Sequence, residues 1–130
     1  MAVGILLITQ PGIGAALVAA AEGMLPGLPL ECGTFEVMPD ADPDAVLPAA
    51  SAAMRRVDGG DGVLVLTDMH GSAAALVAAK LVHLGTPARR VSGASLPMLL
   101  RVLTYAEKPL DELPAVAAAG ARIGVIQGDG

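Results

Sequence analysis

Val3-Gly4-Ile5-Leu6-Leu7-Ile8 runs without a polar side chain into Thr9-Gln10-Pro11-Gly12, and Ile13-Gly14-Ala15-Ala16-Leu17-Val18 follows at once. An apolar run rich in aliphatic and β-branched residues, stopped by a Pro-Gly turn and resumed by alanine and leucine, reads as a buried strand, a tight turn and a helix. That is half of a βαβ unit. In open sheets built from such units, ligands sit beyond the carboxyl ends of the strands, where the N–H groups that begin the next helix face outward and favour an anion. Gln10 therefore stands where chemistry is expected, although a carboxamide is neither a useful nucleophile nor a base.

The rest of the chain repeats the alternation. The first helix, about Gly14 to Met24, is mostly alanine and ends at Pro26-Gly27-Leu28-Pro29; Leu30 to Val37 alternates as a second strand. Asp40-Ala41-Asp42-Pro43-Asp44 starts a helix reaching about Val57. Asp42 suits the N-cap, Pro43 the first helical position, and the carboxylates complement the helix dipole, so this acidic run reads as capping and not as a metal site. After the turn Asp58-Gly59-Gly60-Asp61-Gly62, the run Val63-Leu64-Val65-Leu66-Thr67 has the character of a central parallel strand covered on both faces. It ends in Asp68-Met69-His70-Gly71, and Ser72 can cap a helix to about Leu84. A short strand from Arg90 to Ala94, a helix from Leu96 to Leu103 capped by Ser95, a helix from Leu110 to Ala119 with Gly120 as C-cap, and a final strand from Arg122 to Gln127 complete the expectation. The fold class is α/β: one three-layer, doubly wound domain over residues 1–130 with right-handed crossovers.

Composition narrows the function. The hydrophobic fraction of 54% comes largely from alanine, and Glu22, Pro26 and Pro29 interrupt the most apolar region before a membrane span of about 20 residues is reached. No Lys or Arg precedes Arg55, so a secretory signal is not expected and a cytoplasmic protein is. With a net charge of −5 and only Phe35 and Tyr105 as aromatics, neither a basic surface nor stacking groups exist for nucleic acid. Arg55-Arg56 and Arg89-Arg90 read as solvated element ends. The lone Cys32 excludes an internal disulfide and any cysteine-based metal cluster, and it reads as a small buried hydrophobe.

A parallel sheet would gather the turns after the first, third and fourth strands at one edge, bringing together Thr9, Gln10, Gly12, Asp68, His70, Ser72 and Ser95. Gly12-Ile13-Gly14 lacks the dinucleotide spacing and any Lys-Ser/Thr pair, so no nucleotide or other cofactor is expected. Its ordinary role is to let the turn and the first helix pack closely. His83, near the end of the third helix, is placed to favour the helix C-terminus.

Gly62-Val63-Leu64-Val65-Leu66-Thr67-Asp68, followed by Gly93-Ala94-Ser95-Leu96-Pro97-Met98-Leu99, resembles the enzyme IIA domain of the mannose family of the bacterial phosphoenolpyruvate-dependent sugar phosphotransferase system. The resemblance covers essentially the whole chain. It implies a cytoplasmic phosphocarrier, a homodimer, and a mainly parallel sheet whose antiparallel C-terminal strand can be exchanged between subunits. It also implies a histidine after the first strand that accepts a phosphoryl group from the histidine-containing phosphocarrier protein, oriented by the aspartate after the third strand. Asp68 matches that aspartate and Thr9 the residue before the nucleophile, while the nucleophile's place is held by Gln10. His70 stands where an aromatic is usual, Ser72 where a second glycine is common, and Ser95 where asparagine precedes Leu-Pro-Met. Several departures together favour a natural divergent branch over a single engineered change.

An imidazole nitrogen attacks phosphorus, whereas the glutamine amide lone pair is delocalised into its carbonyl. Gln10 cannot perform the family's transfer, but its side chain can donate an N–H to Asp68 in place of the ring. The first reading is a family member whose carrier activity is lost or relocated, acting as a regulatory or protein-binding module with the phosphocarrier protein or a paralogue, an enzyme IIB domain or a regulated target as partner. One alternative is an active carrier using His70, with phosphate contacts from Thr9, Gly12, Ser72 and Ser95. The other is an unrelated flavodoxin-like small-molecule-binding domain.

Overall fold

The computed structural model describes residues 2–128. Four strands, β1 (Ala2–Thr9), β2 (Cys32–Glu36), β3 (Gly60–Thr67) and β4 (Ala88–Val91), form one sheet in the order β2-β1-β3-β4. All three pairings are parallel, with Ile8 beside Phe35 on one side and beside Thr67 on the other. The helices are α1 (Ile13–Met24), α2 (Pro43–Val57), α3 (Ala73–Leu81), α4 (Leu96–Thr104) and α5 (Leu113–Ile123), the last preceded by a 3₁₀ turn at Leu110–Glu112.

Alternation along the two central strands splits the core into two layers. Ile5, Leu7, Leu64 and Leu66 join Ala21 of α1, Leu99 and Val102 of α4 and Ala117 of α5. Leu6, Ile8, Val63 and Val65 join Ala53 and Met54 of α2 and Val77 and Ala78 of α3. Helices thus cover both faces, and the unbroken apolar runs of β1 and β3 are explained, because neither strand has a side turned to water. Among the described residues no helix is long and apolar enough to cross a membrane.

The strand order also positions the site. From β1 the chain moves outward to β2 and then returns across β1 to β3, so the winding reverses between β1 and β3. Adjacent loops leave in opposite directions at such a point and open a crevice at the carboxyl ends of those strands. Gln10 and Asp68 are the first residues beyond them.

The expected element boundaries need several corrections. β2 is shorter than Leu30–Val37, β3 begins three residues before Val63, and β4 runs Ala88–Val91 because Ala88 pairs with Val63, which fixes its register earlier than Arg90–Ala94. α3 closes at Leu81, leaving His83 in the exposed turn beyond it. Gly120 is not a C-cap: α5 continues through it to Ile123. The expected strand at Arg122–Gln127 does not form in this sheet, since Arg122 and Ile123 complete α5 and residues 125–128 carry no regular structure. A strand requires a neighbour's N–H and C=O groups, and the segment meets no edge of its own sheet.

Candidate functional site

The turn after β1 is held by three side chains, from the last residues of β1 and β2 and from the first residue beyond β3. The buried Thr9 hydroxyl donates to the Gln10 carbonyl at 2.7 Å and accepts the Gly14 N–H at 2.9 Å. Asp68, at the tip of β3, accepts the Gln10 backbone N–H on Oδ2 at 2.9 Å. Glu36, the last residue of β2, accepts the Gly12 N–H on Oε2 at 2.6 Å. Gly12 sits at φ +89°, a conformation that L side chains rarely adopt, and this lets the chain turn directly into α1. The Ile13 N–H bonds the Gln10 carbonyl at 3.3 Å. The N–H groups of Gln10, Gly12, Ile13 and Gly14, which an anion at this helix start would use, are therefore all taken within the protein.

The turn after β3 is built around the same aspartate. Asp68 Oδ1 accepts the Met69 N–H at 2.8 Å and lies 3.4 Å from the Ser72 hydroxyl. Ser72 caps α3 by accepting the Ala75 N–H and donates to the Met69 carbonyl at 2.8 Å. Between the two turns lies a cleft of about 240 Å³ lined by Gln10, Val37, Pro39, Met69, Gly71, Ser72, Ala73 and Ala74. It is smaller than the ~300–1,000 Å³ typical of small-molecule pockets. A larger hollow of about 420 Å³ opens beside Ala2, Asp61 and Lys108 and includes none of the site residues expected from the sequence.

Gln10 and Asp68 thus meet, with Thr9, Gly12 and Ser72 beside them, but the contact differs from the expected one. Asp68 holds the backbone of residue 10, and the Gln10 carboxamide makes no hydrogen bond among the described residues. Thr9 and Gly12 are committed to the turn itself. Ser95 caps α4 by accepting the Met98 N–H at 3.2 Å and does not line the cleft. His70 is exposed and also outside the lining. Glu36 was not anticipated. The signal for it was topological: once the second strand pairs in parallel with the first, its last residue lies beside Thr9 and within reach of the glycine that follows. Cys32, at the start of β2 and far along the strand from this turn, has its thiol pushed up to about 11 by burial and by the charges of Glu31 and Glu22, so it is unreactive at neutral pH.

The sequence matches, over residues 4–118, the family described as the PTS system fructose IIA component. Solved structures share the fold at low identity. The mannose/sorbose-specific IIA subunit of the phosphotransferase system from Enterococcus faecalis superposes with a TM-score of 0.85 at 18% identity, covering 99% of this chain and 96% of that one. The phosphotransferase component EIIA from Streptococcus agalactiae gives 0.80 at 16% identity, with 96% of both chains covered. The PTS IIA protein associated with the fucose utilisation operon of Streptococcus pneumoniae gives 0.71 at 20% identity, covering 98% and 96%. No curated protein sequence matches this chain.

Proposed function

Because this chain belongs to the mannose-type enzyme IIA family of the phosphotransferase system, we propose that it keeps the family's recognition surface and has lost phosphoryl transfer at residue 10. The observation that carries this reading is the juxtaposition of Asp68 with Gln10: the carboxylate stands 2.9 Å from the backbone nitrogen of a residue whose side chain cannot attack phosphorus. The commitment of the N–H groups around Gly12 to Thr9, Glu36 and Asp68 supports it further. The proposed role is regulatory: a cytoplasmic homodimer that docks the histidine-containing phosphocarrier protein or a paralogue, and an enzyme IIB domain or another regulated target, without passing phosphate onward. The family match sets aside the unrelated flavodoxin-like alternative.

The test is to incubate the protein with the phosphorylated phosphocarrier and look for an acid-labile phosphoryl adduct. The expected result is none for the wild type and a detectable adduct for Gln10→His, whose new imidazole lies on the turn that Asp68 holds. A wild-type adduct that disappears in His70→Ala would replace this reading with a carrier that uses His70.

A further inference from the structure

Away from the candidate site, the outer edge of β4 is engaged by the chain's own side chains. Ala88 pairs with Val63, and the Val63 N–H bonds the Pro87 carbonyl at 2.9 Å. In a parallel ladder this turns the N–H groups of Arg89 and Val91 toward β3, and the N–H and C=O groups of Ala88 and Arg90 away from it. No loop or turn bonds those outward backbone groups among the described residues. Beside them lies a hollow of about 610 Å³ lined by Val82, His83, Ala88, Arg89 and Arg90. Unpaired groups along a sheet edge are a template for an added strand.

One of the outward groups is nevertheless taken. The Arg89 guanidinium returns to the edge and donates from Nη1 to the Ala88 carbonyl at 3.0 Å. From Nη2 it donates to Asp111 at 2.6 Å. Asp111 lies in the 3₁₀ turn that leads into α5, so this clasp ties the strand edge to the helix whose far end carries the exposed Ile123, Val125 and Ile126. A strand added to β4 would bring a backbone N–H to the Ala88 carbonyl, where the guanidinium now sits. The two donors compete. The Arg89 and Asp111 side chains are 50% and 78% exposed, so their pairing is weak enough to open. A twofold dimer has two such edges, and whatever one clasp costs is counted twice.

Resting on the homodimer reading, we propose that Arg89 and Asp111 hold the β4 edge closed against the apolar segment leaving α5 of a second copy, and that dimerisation opens this clasp. The test is the dimer dissociation constant of the full chain by sedimentation equilibrium, for wild type, Arg89→Ala, Asp111→Ala and the double variant. Each single variant is expected to tighten the dimer about tenfold, and the double variant no more than the better single one, because both substitutions remove the same contact. Charge supplies the control. The net charge is −5, and Arg89→Ala makes it more negative while Asp111→Ala makes it less so. Self-repulsion alone would therefore move the two constants in opposite directions. Tightening by both, without gain in the double variant, is the result expected of a clasp. Constants that stay unchanged, weaken or move in opposite directions, or a double variant that gains the product of both effects, overturn the proposal and leave the homodimer standing. Four chains that all remain monomeric remove the proposal and the homodimer together.

Discussion

Thr9 closes its turn in two directions, donating to the carbonyl of the next residue while accepting an N–H from inside α1, and it does so at 1% exposure. Valine has nearly the same shape but no hydroxyl, so Thr9→Val would strand the Gly14 N–H in the interior at a cost of about 1–3 kcal/mol. Thr9→Ser keeps both hydrogen bonds, loses one methyl group and costs less, under about 1.5 kcal/mol. Urea midpoints should therefore fall in the order wild type, serine, valine; a valine variant as stable as wild type would mean that the turn does not depend on this hydroxyl. Cys32 gives the pH prediction. Its thiol, at 9.0 in an unperturbed chain and about 11 when folded, leaves the folded state holding a proton that the unfolded state has released between those values. Stability therefore falls as pH rises through about 9 to 11, with no contribution below 9. The thiol's partial exposure limits the loss to about 1 kcal/mol. It is read in urea as stability that wild type loses relative to Cys32→Ala between pH 8 and pH 11. At this scale the candidate site was legible to the extent that residue types mark positions: polar residues stopping apolar runs pointed to Gln10 and Asp68 at the strand ends. Whether Asp68 would meet the side chain or the backbone of Gln10 was not legible, because turn geometry decides that.

At the scale of elements, a single residue type carries opposite meanings. Gly120 follows an alanine run and has the look of a helix stop, yet it lies inside α5 where a Cβ would come within 2.5 Å of the Arg101 Cβ and 3.1 Å of the Pro97 carbonyl. It is there so that α5 can approach α4. Gly23 of α1 has nothing within 4 Å of a built Cβ. Gly120→Ala is expected to push the helices apart and destabilise by about 1–3 kcal/mol. Gly23→Ala is expected to stabilise by up to about 1 kcal/mol through helix propensity alone. Opposite shifts of the thermal midpoint would check the pair, and equal shifts would refute the packing argument. The contrast explains which elements the sequence disclosed. β1, β3 and the helix starts at Asp42, Ser72 and Ser95 depend on local patterns, and the side-chain caps at all three are observed. The role of Gly120, the early register of β4 and the missing last strand depend on what lies opposite in space, which spacing along the chain does not encode.

At the scale of the whole molecule, the segment that leaves α5 is apolar and exposed. Ile123, Val125 and Ile126 are 61%, 78% and 84% exposed, and they cluster within four residues. Apolar groups so close together are the kind of surface that another protein covers, and they are the ground for the proposed homodimer. The sheet meanwhile ends at β4, a strand of four residues whose outer edge has no strand neighbour among the described residues and whose Arg89 is drawn to Asp111 at 2.6 Å. An open edge and an apolar segment without a strand partner are complementary needs, and two copies related by a twofold axis would satisfy both sets at once. The proposed homodimer therefore makes a quantitative prediction: at about 100 µM the wild type sediments at twice 12.9 kDa, and the dimer dissociates on dilution. Val125→Asp with Ile126→Asp should sediment as the monomer with an unchanged far-UV circular dichroism spectrum, because neither side chain belongs to either buried core cluster. A wild type that remains at 12.9 kDa at that concentration would refute the dimer, and a double variant that still dimerises would move the interface elsewhere. The candidate site is at the carboxyl ends of the strands, as is the junction of Gly124 with Pro97 at the start of α4, so a partner that docks on that end of the sheet would meet the segment leaving α5 as well. Partner binding and dimerisation should then be linked, and the affinity for the phosphocarrier should differ between wild type and the monomeric variant even though the substitutions lie outside the cleft.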